Sequence, residues 1–201
     1  MTRPWLLDAF SGAGGAARGY QQAGFRVLGV DIAPQPNYIG DDFHQGDALD
    51  FIAARGAGFD AIHASLPGLH YATVTRWRGD SADHPDMVAA TRTALEQTGR
   101  PWVMENVLEA PIRRDIVLCG SMFGLPVRRH RAFETSWRAF SLMRPCGHRS
   151  DDLAFMQKGE RAYADALGCG WMTAREGREA IPPAFAAYVG EQLLSHLRVS
   201  A

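Results

Sequence analysis

Pro4-Trp5-Leu6-Leu7-Asp8-Ala9-Phe10-Ser11-Gly12-Ala13-Gly14-Gly15 is a short apolar run that breaks into a glycine-rich turn. A helical segment, Ala13–Ala23, follows it. Strand, glycine loop and helix in that order begin a βαβ unit; the glycines let backbone approach a ligand, and the helix presents its N-terminus. Phe25–Ile32 reads as a second strand and ends in Gly29-Val30-Asp31, about 20 residues past the loop, where a carboxylate can accept from two ribose hydroxyls. A short third strand near Phe43–Ala48 leads into Gly46-Asp47, a second acid at the same edge. Three strand tips converge on one crevice, as a doubly wound sheet requires of its ligand site. A dinucleotide would want its pyrophosphate on the loop. S-adenosylmethionine is cationic and has no phosphate, so it suits an acidic crevice better.

Further along the chain, apolar runs keep alternating with helix-like segments. A helix is expected near Asp50–Arg55, a fourth strand at Phe59–Ser65, a fifth at Trp102–Val107 and a sixth at Ile116–Cys119. Pro85–Gln97 has helical spacing at Met87, Val88, Thr91 and Leu95. Arg131–Ser136 reads as a seventh strand pairing at an edge, and 138–170 as irregular and polar. A last helix opens at Pro182-Pro183 and runs through Phe185, Val189, Leu193 and Leu197. The pattern predicts a Rossmann-like α/β fold with a mostly parallel sheet and helices on both faces. Residues 1–131 would form the cofactor-binding and catalytic domain, 132–178 a small recognition insertion, and 179–201 a helix returning to the first domain.

The chain has 201 residues, 46% hydrophobic and 21% charged, which excludes a disordered or fibrous protein. Its net charge of −1 excludes a strongly basic nucleic-acid-coating protein, yet the charge is uneven. Residues 1–99 carry net −4, residues 100–149 net +5, and residues 150–201 net −2. Lys158 is the single lysine, so almost every positive charge is a planar guanidinium. The middle block either forms a solvated surface or meets an anionic ligand such as phosphate. Cys119, Cys146 and Cys169 are too few and too scattered for a disulfide framework or a CxxC zinc site, and no metal is expected. A reducing cytoplasm fits this usage. No signal peptide or membrane span is visible, and a monomer is expected.

With these residues in place, the chain resembles the DNA (cytosine-5) methyltransferases, particularly short versions from phages and their bacterial hosts. Asp8–Gly15 is similar to their first motif, Asp31 and Gly46-Asp47 to the second and third, and Glu105-Asn106-Val107 to their Glu-Asn-Val motif. Val127-Arg128-Arg129-His130-Arg131 resembles Gln-x-Arg-x-Arg, with Val127 in the glutamine's place. Ala180-Ile181-Pro182-Pro183 with Tyr188-Val189-Gly190 resembles the closing motif. The resemblance implies an S-adenosylmethionine site bounded by Phe10, Ser11, Gly12, Gly14 and Gly15. Asp31 would hold the ribose and Asp47 the adenine edge, with Ile32, Ala48 and Pro67 also at the cofactor site. It further implies that Glu105, beside Asn106, contacts N3 and the amine of a flipped cytosine. Arg129 or Arg131 would serve O2 and neighbouring phosphates. A base in a duplex is unreachable, so it must be extruded and read on its Watson–Crick edge.

The family's Ser-Pro-Pro-Cys-Gln motif supplies a thiolate that adds to C6 and activates C5. Here the corresponding stretch is Ser65-Leu66-Pro67-Gly68-Leu69-His70-Tyr71, with Gly68 where the cysteine is expected. Cys119 reads as a small buried apolar residue, a poor substitute nucleophile, and Cys146 and Cys169 are poorer. Without the thiolate, the protein methylates an atom that needs no covalent adduct, with His70 or Tyr71 orienting or deprotonating the acceptor; or acts on a base already activated by modification; or binds cofactor and DNA without reacting, as a decoy or regulator. A nucleotide-dependent oxidoreductase is disfavoured by the Glu-Asn-Val and arginine motifs. Arg76-Trp77-Arg78 would grip phosphate and stack on a base, with Arg128 also on DNA. The short insertion implies short or relaxed sequence specificity, or a partner.

Overall fold

The computed structural model describes residues 2–67, 87–153 and 160–200. Its strands are β1 (Trp5–Ala9), β2 (Arg26–Asp31), β3 (Asp42–Gln45), β4 (Ala61–Ser65), β5 (Trp102–Asn106), β6 (Ile116–Cys119) and β7 (His130–Thr135). Its helices are α1 (Gly15–Ala23), α2 (Ala48–Arg55), α3 (Val88–Gln97), α4 (Glu160–Ala166), α5 (Ala174–Glu179) and α6 (Pro183–Ser200). The strands form one sheet in the order β3-β2-β1-β4-β5-β7-β6. Pairings from β3 through β5 are parallel, whereas β7 runs antiparallel to both β5 and β6. The strand order reverses direction at β1, the switch point at which an open α/β sheet makes its crevice.

Both faces of the sheet are covered, as apolar residues at alternate strand positions require. Leu7, Val30, Ile62 and Met104 pack with Phe51 and Ile52 of α2 and Leu95 of α3. On the other face Leu6, Val27, Val103 and Phe133 pack with Tyr20 of α1 and with Phe185, Val189 and Leu193 of α6. Each such buried side chain contributes about 1.5–3 kcal/mol. Contact between α1 and α6 depends on two residues without side chains. A Cβ at Gly19 would lie 2.2 Å from the Pro183 carbonyl, and one at Gly190 2.8 Å from Ala23 Cβ.

Two expectations need correction. The seventh strand does not pair at an edge: β7 sits between β5 and β6, and β6 is the edge. Arriving from a loop rather than a helical crossover, it enters antiparallel and satisfies backbone groups on both sides. The third strand stops at Gln45 rather than Ala48, because the Asp47 carboxylate accepts from the N–H groups of Leu49 and Asp50 and starts α2. The polar stretch 138–170 also contains α4, whose Tyr163, with Leu167 just past its end, joins Cys169, Met172, Val127 and Ala13 in a third small core. Among the described residues, no helix is long and apolar enough to cross a membrane.

Candidate active site

The carboxyl ends of β1, β2 and β4 bring the glycine loop, Asp31 and Ser65-Leu66-Pro67 to one rim. Asp31 Oδ2 accepts from Gly12 N–H at 2.9 Å and Oδ1 from Ala33 N–H at 3.0 Å. The carboxylate therefore ties the loop to β2 while each oxygen keeps a lone pair for a further donor. Phe10 adopts φ 58°, the one non-glycine positive φ among the described residues. Such a conformation persists where surrounding structure over-determines it, and it clusters at ligand sites. Ser11 is buried and its N–H donates to the Val30 carbonyl. Gly14, at φ 85°, caps α1. Gly15 lies so close to the segment before α6 that a Cβ there would be 2.4 Å from the Ile181 carbonyl.

Ile32, next to Asp31, is 73% exposed, a large apolar side chain left on the rim. Asp47 caps α2 through Oδ1. Ala48 is buried in the first core rather than facing the rim. Pro67 is exposed. Gly68, His70, Arg76, Trp77 and Arg78 lie outside the described residues.

Glu105 and Asn106 end β5, and both are buried. Glu105 is neither a helix cap nor a surface carboxylate, since Arg131 Nε lies 2.8 Å from its Oε1. Burial raises the Glu105 carboxyl above its ordinary value, with Arg131, Arg129 and a hydrogen bond from Ser65 opposing. Its neutral form is thereby favoured relative to a carboxylate in water. Asn106 Oδ1 accepts from Val107 N–H. Its Nδ2 is buried without a hydrogen-bond partner among the described residues.

The two candidate arginines separate in role. Arg131 meets Glu105, whereas buried Arg129 donates through Nη2 to the carbonyls of Glu179 and Ala180. Arg129 therefore anchors the segment preceding α6. Arg128 is exposed and donates to the Arg149 carbonyl at 2.7 Å. Arg113 of the basic block, together with Arg92, is structural. Buried Glu134 accepts from Arg92 Nη2 at 2.8 Å and from Arg113 Nη1 at 2.9 Å.

Sequence reasoning missed a polar column behind Glu105. Tyr20 Oη lies 3.0 Å from His63 Nδ1, and His63 Nε2 lies 2.8 Å from Ser65 Oγ. In register, Ser65 stands beside Glu105 and Asp8 beside His63. Burial lowers the His63 imidazole to about 3, so at neutral pH one ring nitrogen donates and the other accepts. Asp8 is pushed well up by burial, against the Ala17 backbone and with help from Asp31 and Glu105. The visible signal was His63 and Ser65 at alternate positions of an otherwise apolar strand. Also missed was the convergence of Cys119, His130, Cys146 and His148, whose donor atoms lie within 4.8 Å of one another.

No protein-family model and no curated protein matches the sequence. Among solved structures, the chain is similar to the S. pombe Dnmt2 methyltransferase, with a TM-score of 0.64 and 13% identity, covering 97% of this chain and 99% of that one. The chain shares the Rossmann-like α/β fold of that methyltransferase. The Entamoeba histolytica methyltransferase EhMeth matches with a TM-score of 0.50 and 15% identity over 76% of this chain and 58% of its own. A DNA modification methyltransferase encoded within an E. coli prophage matches 65% of this chain at 19% identity, with a TM-score of 0.46. The chain spans about 45% of that protein's length.

Proposed function

We propose that the protein is an S-adenosylmethionine-dependent DNA methyltransferase of the cytosine-5 type that acts on a flipped base without a cysteine nucleophile. The observation that carries the reading is the buried Glu105–Arg131 pair, at the same carboxyl edge of the sheet as the Asp31-anchored glycine loop. The residues fit the cofactor. Asp31 keeps acceptor capacity for a ribose, exposed Ile32 offers an apolar surface to the adenine, and Asp47 Oδ2 is left to receive its amine. When bound, S-adenosylmethionine supplies an electrophilic methyl group.

The chain's own residues then account for base recognition. Glu105, its proton affinity raised by burial, donates to a ring nitrogen of the extruded base. Arg131, always cationic, holds Glu105 in place and offers remaining donors to a carbonyl oxygen. Ser65, His63 and Tyr20 form a buried hydrogen-bonded chain that orients Glu105 from behind. Donors fixed before the reaction stabilise charge as it develops. With Gly68 in the cysteine's position, the acceptor is an atom that needs no covalent activation, or a base already modified.

Labelled S-adenosylmethionine incubated with the protein and DNA, followed by mass spectrometry of the nucleosides, tests the reading. A labelled methyl on a base is expected. Cofactor binding without transfer to any DNA would favour the silent homologue instead.

A further inference from the structure

We propose that Cys119, His130, Cys146 and His148 form a structural zinc site that staples the segment between β7 and α4 to the edge of the sheet. Cys119 ends β6 and His130 begins β7, and the two are cross-strand partners. Cys146-Gly147-His148 arrives from the irregular segment. Two thiols and two imidazoles from three separate stretches thus place one ligand atom each within 4.8 Å of all the others. Tetrahedral zinc with bonds of about 2.3 Å to sulfur and about 2.0 Å to nitrogen sets its ligands roughly 3.3–3.8 Å apart. Cys119 Sγ and His148 Nε2 already lie 3.2 Å apart.

The surroundings suit an ion. Gly147 N–H donates to Ser121 Oγ, and Ser121 Oγ donates to Cys119 Sγ, so the loop is held against the first thiol and that sulfur receives an outer hydrogen bond. Two thiolates formed by loss of two protons would balance the charge of zinc. The site is therefore neutral within an arginine-rich region. All four positions are filled by protein, the arrangement of a structural rather than a catalytic zinc.

The segment needs such support. Residues 136–149 contain no helix or strand, and nearly all of residues 138–151 are exposed. Little apolar burial is available there to offset the cost of ordering the chain, and metal ligation supplies that in small or loop-rich units. A disulfide between Cys119 and Cys146 would use the thiols but leave both imidazoles unexplained.

The full chain, expressed with zinc and purified under reducing conditions, is expected to hold about one zinc per chain. Cys146→Ser and His148→Ala, both at exposed positions, should lose it. Cys169→Ser, outside the cluster, should keep it. Wild-type protein free of zinc, or both cluster variants retaining it, would overturn the proposal. A second measurement does not depend on variants folding. In zinc-loaded wild type, Cys146 should resist alkylation until a chelator is added. Alkylation at an unprotected rate before chelation, or a Cys119–Cys146 disulfide in the reduced protein, would equally overturn it.

Discussion

Arg131 Nε lies 2.8 Å from Glu105 Oε1, and the two residues come from adjacent antiparallel strands, β7 and β5. The pair is buried yet stands at the carboxyl edge of the sheet, where a ligand can reach it. Replacing Glu105 by Gln keeps the shape and removes the transferable proton. Under the proposed function this should lower methyl transfer by roughly 100-fold or more while leaving cofactor affinity within a few-fold. Single-turnover transfer and calorimetric cofactor binding measure the two effects separately.

Asp31→Ala removes both the anchor of Gly12 and the acceptor for a ribose. Charge-assisted hydrogen bonds of this kind are worth about 1.5–3 kcal/mol, so S-adenosylmethionine affinity should fall roughly 10- to 100-fold. Unchanged affinity in equilibrium dialysis would show that the crevice has been assigned to the wrong edge.

His63 links stability to pH. Its imidazole is lowered from 6.5 to about 3 by burial, so between those values the unfolded chain takes up a proton that the native state refuses. The native state therefore loses stability as pH falls from 6.5 towards 3, by up to roughly 4 kcal/mol. Asp8 and Glu105, raised by burial, act in the opposite sense, favouring the native state at the acid end of their range. The difference between wild type and His63→Gln isolates the histidine. Urea midpoints should fall more steeply with acidity in wild type, and parallel curves would contradict a buried neutral His63.

Glu134→Gln tests the structural arginines. Burial pushes the Glu134 carboxyl up, but hydrogen bonds from Arg92 and Arg113 outweigh it and hold it below its ordinary value. Breaking such a pair from one side costs about 3 kcal/mol, to be read from thermal or urea denaturation. A loss below about 0.5 kcal/mol, the range of ordinary surface changes, would show that this buried cluster is not structural.

Under the proposed function, Gly68→Cys alone should not give full cytosine-5 methylation, because Leu66 and Leu69 also differ from the Ser-Pro-Pro-Cys-Gln motif that this stretch resembles. Leu66 is buried in the first core. Robust 5-methylcytosine formation by the single variant would show that the nucleophile alone was missing.

The meeting of the glycine loop with Asp31 was legible because its parts are local: glycines after a strand, and an acid at the next strand tip. Glu105 was legible through its motif, but its partner was not. The choice between Arg129 and Arg131 depends on β7 entering antiparallel between β5 and β6, a pairing that one sequence does not announce. Alternate residues along β4 could have revealed His63 and Ser65, yet only the register shows that they meet Tyr20 and Glu105. The Cys119–His148 cluster escaped because its ligands sit on different segments, with no CxxC spacing to betray them.

One strand, β7, carries His130 at its start, Arg131 beside Glu105, and Glu134 between two arginines. Hydrogen bonding on both sides leaves it little freedom to slide. The segment that follows can therefore vary in length and sequence without moving Arg131 or Glu134. Under the proposed function, target preference could drift in evolution by exchange of residues 138–145 alone, while Glu105 and Arg131 are inherited unchanged.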